Sequence, residues 1–253
     1  MSERGIDHVA LIVRDLPVMA EFYERIIGLV PLAGDGSTRR LGSGDRTLVE
    51  LRSDPSATGR DPRQPGLFHT AFLLPSRADL GGWIRHAAGA GMRLTGASDH
   101  GVSEALYLDD PEGNGIEIYY DRPETHWKRD GARVEMLTLR LDLDDLASAA
   151  TTQWHHAPEG SRIGHVHLQV GDLLRADGFL AGDLGMTQTF EAPGGAWYGW
   201  DGYHHHLAGN IWNSRGVRAR DAATTGLAEV VLNSPERSGE MLTDPWGTAF
   251  RFA

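Results

Sequence analysis

Cysteine is absent from the 253 residues, which excludes disulfides, thiolate metal ligands and a cysteine nucleophile. Lysine is almost absent too. Lys128 is the only one, and arginine carries nearly all the positive charge. A basic excess is missing: the formal net charge is -11, which argues against a nucleic-acid partner and offers no attraction to an anionic membrane. No apolar run is long enough to span a bilayer. The opening Met1-Ser2-Glu3-Arg4-Gly5 has no basic-then-apolar character and leads toward a strand, so a cytoplasmic protein is expected. What remains is ordinary globular composition, 40% hydrophobic and 23% charged.

The chain repeats a unit. Residues 6–13 read as a mostly apolar strand with His8 as its polar exception. Asp15-Leu16-Pro17 then starts a helix, whose apolar stripe is Met19, Phe22, Tyr23, Ile26 and Ile27 and whose stop is Gly28. Strand pieces follow, ending in Arg46–Leu51. The order recurs from residue 67: a strand with His69, a helix opened by Ser76 and Asp79, then strand pieces at 92–95, 104–108 and 115–120, the last carrying Glu117. It recurs again from Gly164-His165-Val166, and a fourth time from Leu227, cut to about half length and without its helix. The expected fold is therefore α+β: tandem βαβββ modules forming two half-open mixed β-barrels, the fourth module truncated. The expected division is a domain at 1–122 with two modules, a linker with a short helix at 123–160, and a second domain at 161–253.

His8 and His69 hold equivalent places on the first strands of their units, and Glu117 lies on a last strand. Two imidazoles and a carboxylate suit one face of a divalent metal and leave its other positions open, the arrangement of non-haem Fe(II) working on oxygen. Equivalent positions in the second half read His165, Glu229 and Arg251. Arginine cannot ligate a cation, so the metal centre is expected in the N-terminal half, with His165 and the His204-His205-His206 run at most a vestigial second site.

The βαβββ pattern, the Phe22-Tyr23-Glu24-Arg25…Gly28-Leu29 helix end and the Asp110-Pro111-Glu112-Gly113-Asn114 turn resemble the vicinal oxygen chelate superfamily of glyoxalases, bleomycin-resistance proteins and extradiol dioxygenases. The run from His100 through Tyr107 and Asp110-Pro111-Glu112-Gly113 to Glu117 is similar to the extradiol signature. Together with Gly202-Tyr203-His204-His205-His206, it most resembles catechol-2,3-dioxygenase-like members. The resemblance implies Fe(II), or alternatively Mn(II), Zn(II) or Ni(II), held by His8, His69 and Glu117. It implies His100 and Tyr107 as catalytic groups on substrate oxygen, and an aromatic diol and O2 as partners in aromatic compound catabolism. One departure stands out. Ring-cleaving relatives carry an acid–base histidine on the strand before the second metal histidine, and residues 46–66 contain none. Either another group such as His100 moves the protons, or the chemistry is that of a non-oxidative lyase or isomerase. A protein that only binds an aromatic drug is a third alternative, and the intact ligand set argues against it. The truncated last unit leaves a strand edge that a homodimer would cover.

Overall fold

The computed structural model describes residues 4–221 and 223–253, so Met1–Glu3 of the expected lead-in lie outside the described residues. The first unit is β1 (Gly5–Val13), α1 (Leu16–Phe22), β2 (Val30–Gly34), β3 (Thr38–Ser43) and β4 (Arg46–Ser53). The second is β5 (Gly66–Leu73), α2 (Arg77–Gly89), β6 (Gly96–Asp99), β7 (Ser103–Asp109) and β8 (Gly115–Asp121). A connector holds the short β9 (Arg129–Asp130), β10 (Arg133–Val134) and α3 (Leu143–Ser148). The third unit is β11 (Arg162–Gln169), α4 (Leu173–Asp177), β12 (Thr187–Ala192), β13 (Gly195–Gly199) and β14 (Leu207–Asn210). The fourth is β15 (Gly226–Asn233), β16 (Met241–Thr243) and β17 (Ala249–Phe252), with a single 3-10 turn where a helix would stand.

Local chemistry explains the starts and stops. Asp15 Oδ1 accepts the Val18 N–H at 3.1 Å, and Ser76 Oγ accepts that of Asp79 at 3.2 Å, so both helices open on side-chain caps. After α1 the chain makes a π-helical turn and ends at Gly28, whose φ of 84° is the left-handed region that glycine occupies without strain. Residues 92–95, expected as a strand, form the approach to β6. No helix among the described residues is long and apolar enough to cross a membrane.

The units do not pair in chain order. One sheet of seven strands runs β16-β17-β15-β1-β4-β3-β2, and one of eight runs β12-β13-β14-β11-β5-β8-β7-β6. The first unit therefore joins the fourth, and the second joins the third. Each join is an antiparallel seam between first strands: His8 faces Val231 across β1/β15, and His69 faces His167 across β5/β11. The expected pairing of the first two units in one barrel is corrected by this topology. Both sheets draw on both sides of the 123–160 connector.

The Asp110 turn ties the two sheets together. Its Oδ1 accepts the N–H groups of Glu112 and Asn114, both at 2.9 Å, and its Oδ2 accepts from Asn114 Nδ2 at 2.8 Å and the Tyr23 hydroxyl at 3.1 Å. Burial outweighs these donors and pushes the Asp110 carboxyl up to about 6. A raised acid binds its proton more readily folded than unfolded, so its contribution to stability is complete below about pH 4 and fades as pH rises through about 6. The shift corresponds to about 3 kcal/mol. We expect denaturant titrations of Asp110→Asn to lose this component, its stability falling less between pH 4 and pH 6.5 than that of the parent chain.

Candidate metal centre and cavity

Side chains alternate across a strand, and the seam between β5 and β11 puts several polar ones on the same concave face. His69 comes from β5, Glu117 from β8, and His165 and His167 from β11. His69 Nε2 lies 3.0 Å from Glu117 Oε2, His165 Nε2 lies 3.1 Å from the same oxygen, and the two imidazole nitrogens are 3.3 Å apart. All three residues are buried, and among the described residues this is the one group of three or more such side chains whose donor atoms converge.

The triangle fits a cation. If both Nε2 atoms carried hydrogens, those hydrogens would crowd one another; if both are bare, three lone pairs face one point. Ligands about 2.1 Å from a metal at right angles would be separated by about 3.0 Å, close to the observed edges. Protonation states agree. Burial alone would push the Glu117 carboxyl up, but hydrogens that His165 and His69 share with it hold it well below the usual carboxylate range, and a cation would take the place of those hydrogens. Burial holds the His165 imidazole below its ordinary value despite the Glu117 charge. A charged carboxylate with a neutral imidazole is the form that binds metal.

His8 is not part of this group. It lies on β1 of the other sheet, where its Nδ1–H donates to Asp7 at 2.6 Å, and it lines a separate depression with Arg40, Arg46 and Arg251. The expectation that His8 joins His69 and Glu117 is therefore corrected: the structure brings His165 to them instead. The two occupy matching places in their units, and only the pairing of units distinguishes them. The positions matching His69 and Glu117 in the seven-stranded sheet are Glu229 and Arg251, and these form an ion pair at 2.8 Å. Arg52 bridges Glu229 and Glu50, each at 2.6 Å, and Arg40 completes the ladder to Glu50 at 2.7 Å.

The converging triad sits in the wall of a cavity of about 520 Å³. His100 and Tyr107, expected as catalytic groups, also line it. His100 Nδ1–H donates to the Leu137 carbonyl at 2.6 Å, which leaves Nε2 to accept the Tyr107 hydroxyl at 2.8 Å. Burial, with the Glu117 charge adding to it, holds the Tyr107 phenol well above its usual range, so it stays a neutral donor. Facing this polar wall is an aromatic one: the Phe68 and Trp212 rings are 5.4 Å apart, and Phe190 lies 5.1 Å from Trp197. Met136, Leu137 and Thr138 of the connector close one side.

Sequence reasoning missed His167 and His205 as well as His165. His205 lines the cavity with its ring centroid 4.1 Å from that of His165. Burial first, then the neighbouring imidazoles, pushes its pKa well below the usual range. Residues 46–66 supply no proton-handling histidine to this cavity because β4 belongs to the other sheet. The matching strand for this cavity is β14, and the His204-His205-His206 run that precedes it was the available signal.

We expect alanine at His69, Glu117 or His165 to abolish retention of a divalent metal through gel filtration, and His8→Ala to retain it at the parent stoichiometry. Full loading of a folded His165→Ala protein, or its loss from His8→Ala, would reverse the correction.

Comparison with known proteins agrees with this architecture. Residues 5–118 match the model of the Glyoxalase/Bleomycin resistance protein/Dioxygenase superfamily. The chain is 36% identical over 232 residues to catechol-2,3-dioxygenase of Bacillus subtilis (strain 168), covering 89% of this chain and 81% of that protein. It is 28% identical over 117 residues to biphenyl-2,3-diol 1,2-dioxygenase 3 of Rhodococcus globerulus, covering 45% of this chain and 62% of the relative. Among solved structures, a glyoxalase I variant from Zea mays superimposes with a TM-score of 0.58 at 17% identity, covering 99% of this chain and 93% of the other, a likeness of fold. By its long match to one relative and by its fold, the chain belongs to the glyoxalase, bleomycin-resistance and dioxygenase superfamily.

Proposed function

We propose that the protein is an extradiol-type dioxygenase that opens the ring of a catecholic substrate with O2, using a divalent metal, Fe(II) by the chemistry of its donors, held by His69, Glu117 and His165. One observation carries this reading: the convergence of those three side chains in an aromatic-walled cavity that also holds two separate proton-handling groups, His205 and the His100–Tyr107 pair. The similarity to a catechol-2,3-dioxygenase supports the substrate class. When bound, the iron supplies Lewis acidity and access to oxygen chemistry at its open positions.

The chain's own residues do the rest. Glu117 brings one negative charge and the two imidazoles bring none, so a dication held there keeps a net positive charge toward the two oxygens of a diol. His205 takes a proton from one of those hydroxyls at Nε2, which fills the role that residues 46–66 leave open. The Tyr107 hydroxyl, whose hydrogen goes to His100 Nε2 in this structure, turns that hydrogen to substrate oxygen where negative charge develops once a substrate is bound. Phe68, Trp197 and Trp212 hold the ring by stacking, and the 136–138 strap limits entry of water.

Anaerobic purification, loading with Fe(II) and addition of a panel of catechols in an oxygen electrode tests the reading. The expected result is one O2 consumed per catechol with a yellow ring-opened product, and a fall in kcat of about 10²-fold or more for His205→Ala. A protein that holds stoichiometric iron yet consumes no oxygen with any catechol would sink the reading.

A further inference from the structure

The His204-His205 pair has a hydrogen-bond order that can be read atom by atom. Asp121, at the end of β8, accepts the Tyr203 hydroxyl on Oδ2 at 2.7 Å, and its Oδ1 lies 2.8 Å from His204 Nε2. A carboxylate only accepts, so His204 Nε2 carries the hydrogen. With its ring hydrogen on Nε2, His204 has a bare Nδ1, which faces His205 Nδ1 at 2.7 Å. That contact needs one donor and one acceptor, so His205 Nδ1 donates. The His205 ring then has a single bare nitrogen, Nε2, which makes no hydrogen bond with protein among the described residues, on a side chain that lines the cavity. His204 is fully buried, wedged between the rings of Trp127 at 5.0 Å and Tyr203 at 4.1 Å, which hold it in this orientation.

We propose that Asp121 and His204 act as a tautomer lock on His205, fixing its hydrogen on Nδ1 and presenting the Nε2 lone pair to the substrate. This rests on the dioxygenase reading and goes further, since it gives His204 and Asp121 positioning roles although neither lines the cavity. The lock matters because an imidazole of the wrong tautomer presents a hydrogen where a base is needed, and such an error costs several powers of ten in serine hydrolases, where a carboxylate sets the tautomer directly. Tyr119 extends the network, its hydroxyl lying 2.8 Å from that of Tyr203.

The test has a readout that needs neither metal nor activity. Ring 15N spectra of the metal-free protein report which nitrogen of His205 is bare. The expected wild-type pattern is a hydrogen on Nδ1 and a bare Nε2. In His204→Phe, which removes the acceptor, the Nε2–H form should rise and kcat should fall about 10²-fold with little change in KM. In His204→Asn, whose amide oxygen can stand near the position of Nδ1, the wild-type tautomer should return and kcat should lie within about tenfold of the parent. If His204→Phe does not fold, Asp121→Ala tests the same lock, because His204 is then free to take either tautomer. A wild-type His205 with its hydrogen on Nε2, or a His204→Phe protein with unaltered tautomer and kcat, would overturn the proposal. If the parent protein consumes no oxygen with catechols, the functional reading fails, while the ring spectra still decide this one.

Discussion

Everything in the cavity depends on the seam between β5 and β11. It sets His69 opposite His167 and, in unbroken register, His165 opposite Ala71. A slip of one residue would turn His165 and His167 from the concave face to the convex one. The seam tolerates little else. At Gly164 a Cβ would stand 1.7 Å from the Tyr119 hydroxyl, so the glycine lets that tyrosine pass beneath β11 and reach the Tyr203–Asp121 network. β8 is held alongside β5 in parallel register from His69–Gly115 to Leu73–Tyr119, and this brings Glu117 beneath the imidazoles.

The seven-stranded sheet solves the same problem differently. Its equivalent positions carry Glu229 and Arg251 in place of His69 and Glu117, and buried charge there is met by charge, in a ladder from Arg251 to Arg40. Glu50 and Glu229, which burial alone would push up, are held below the usual range by their arginines. Breaking such a ladder at one rung strands a buried ion. The two sheets thus share a plan. In one, the concave polar groups satisfy one another; in the other, three lone pairs are left facing a common point.

The strand–helix–strand pattern was legible throughout, because the apolar periodicity and the caps at Asp15, Ser76 and Gly28 are local. His69, Glu117, His100 and Tyr107 were also legible, as positions in a repeat and in a signature, and the structure brings them to one cavity. The pairing of the units was not. Nothing within residues 5–13 says whether β1 will meet β5 or β15, since both partners are apolar first strands of the same length class. The deciding signals lay elsewhere: Arg251 in the short fourth unit, and a histidine run before β14 that had no role under the expected pairing. His8 and His165 have matching local patterns, and a choice between them needed the topology.

The order of pairing also bears on how the chain comes to be folded. Gly5 meets Asn233 in the first sheet, so β1 leaves a ribosome well before β15 and must wait for the second and third units and the connector to be made before that edge is covered. Closure over such sequence distance is slow. The second and third units can join while the fourth is still being made, so the order of synthesis favours completion of the metal-binding half before the sheet that contains the N-terminal strand.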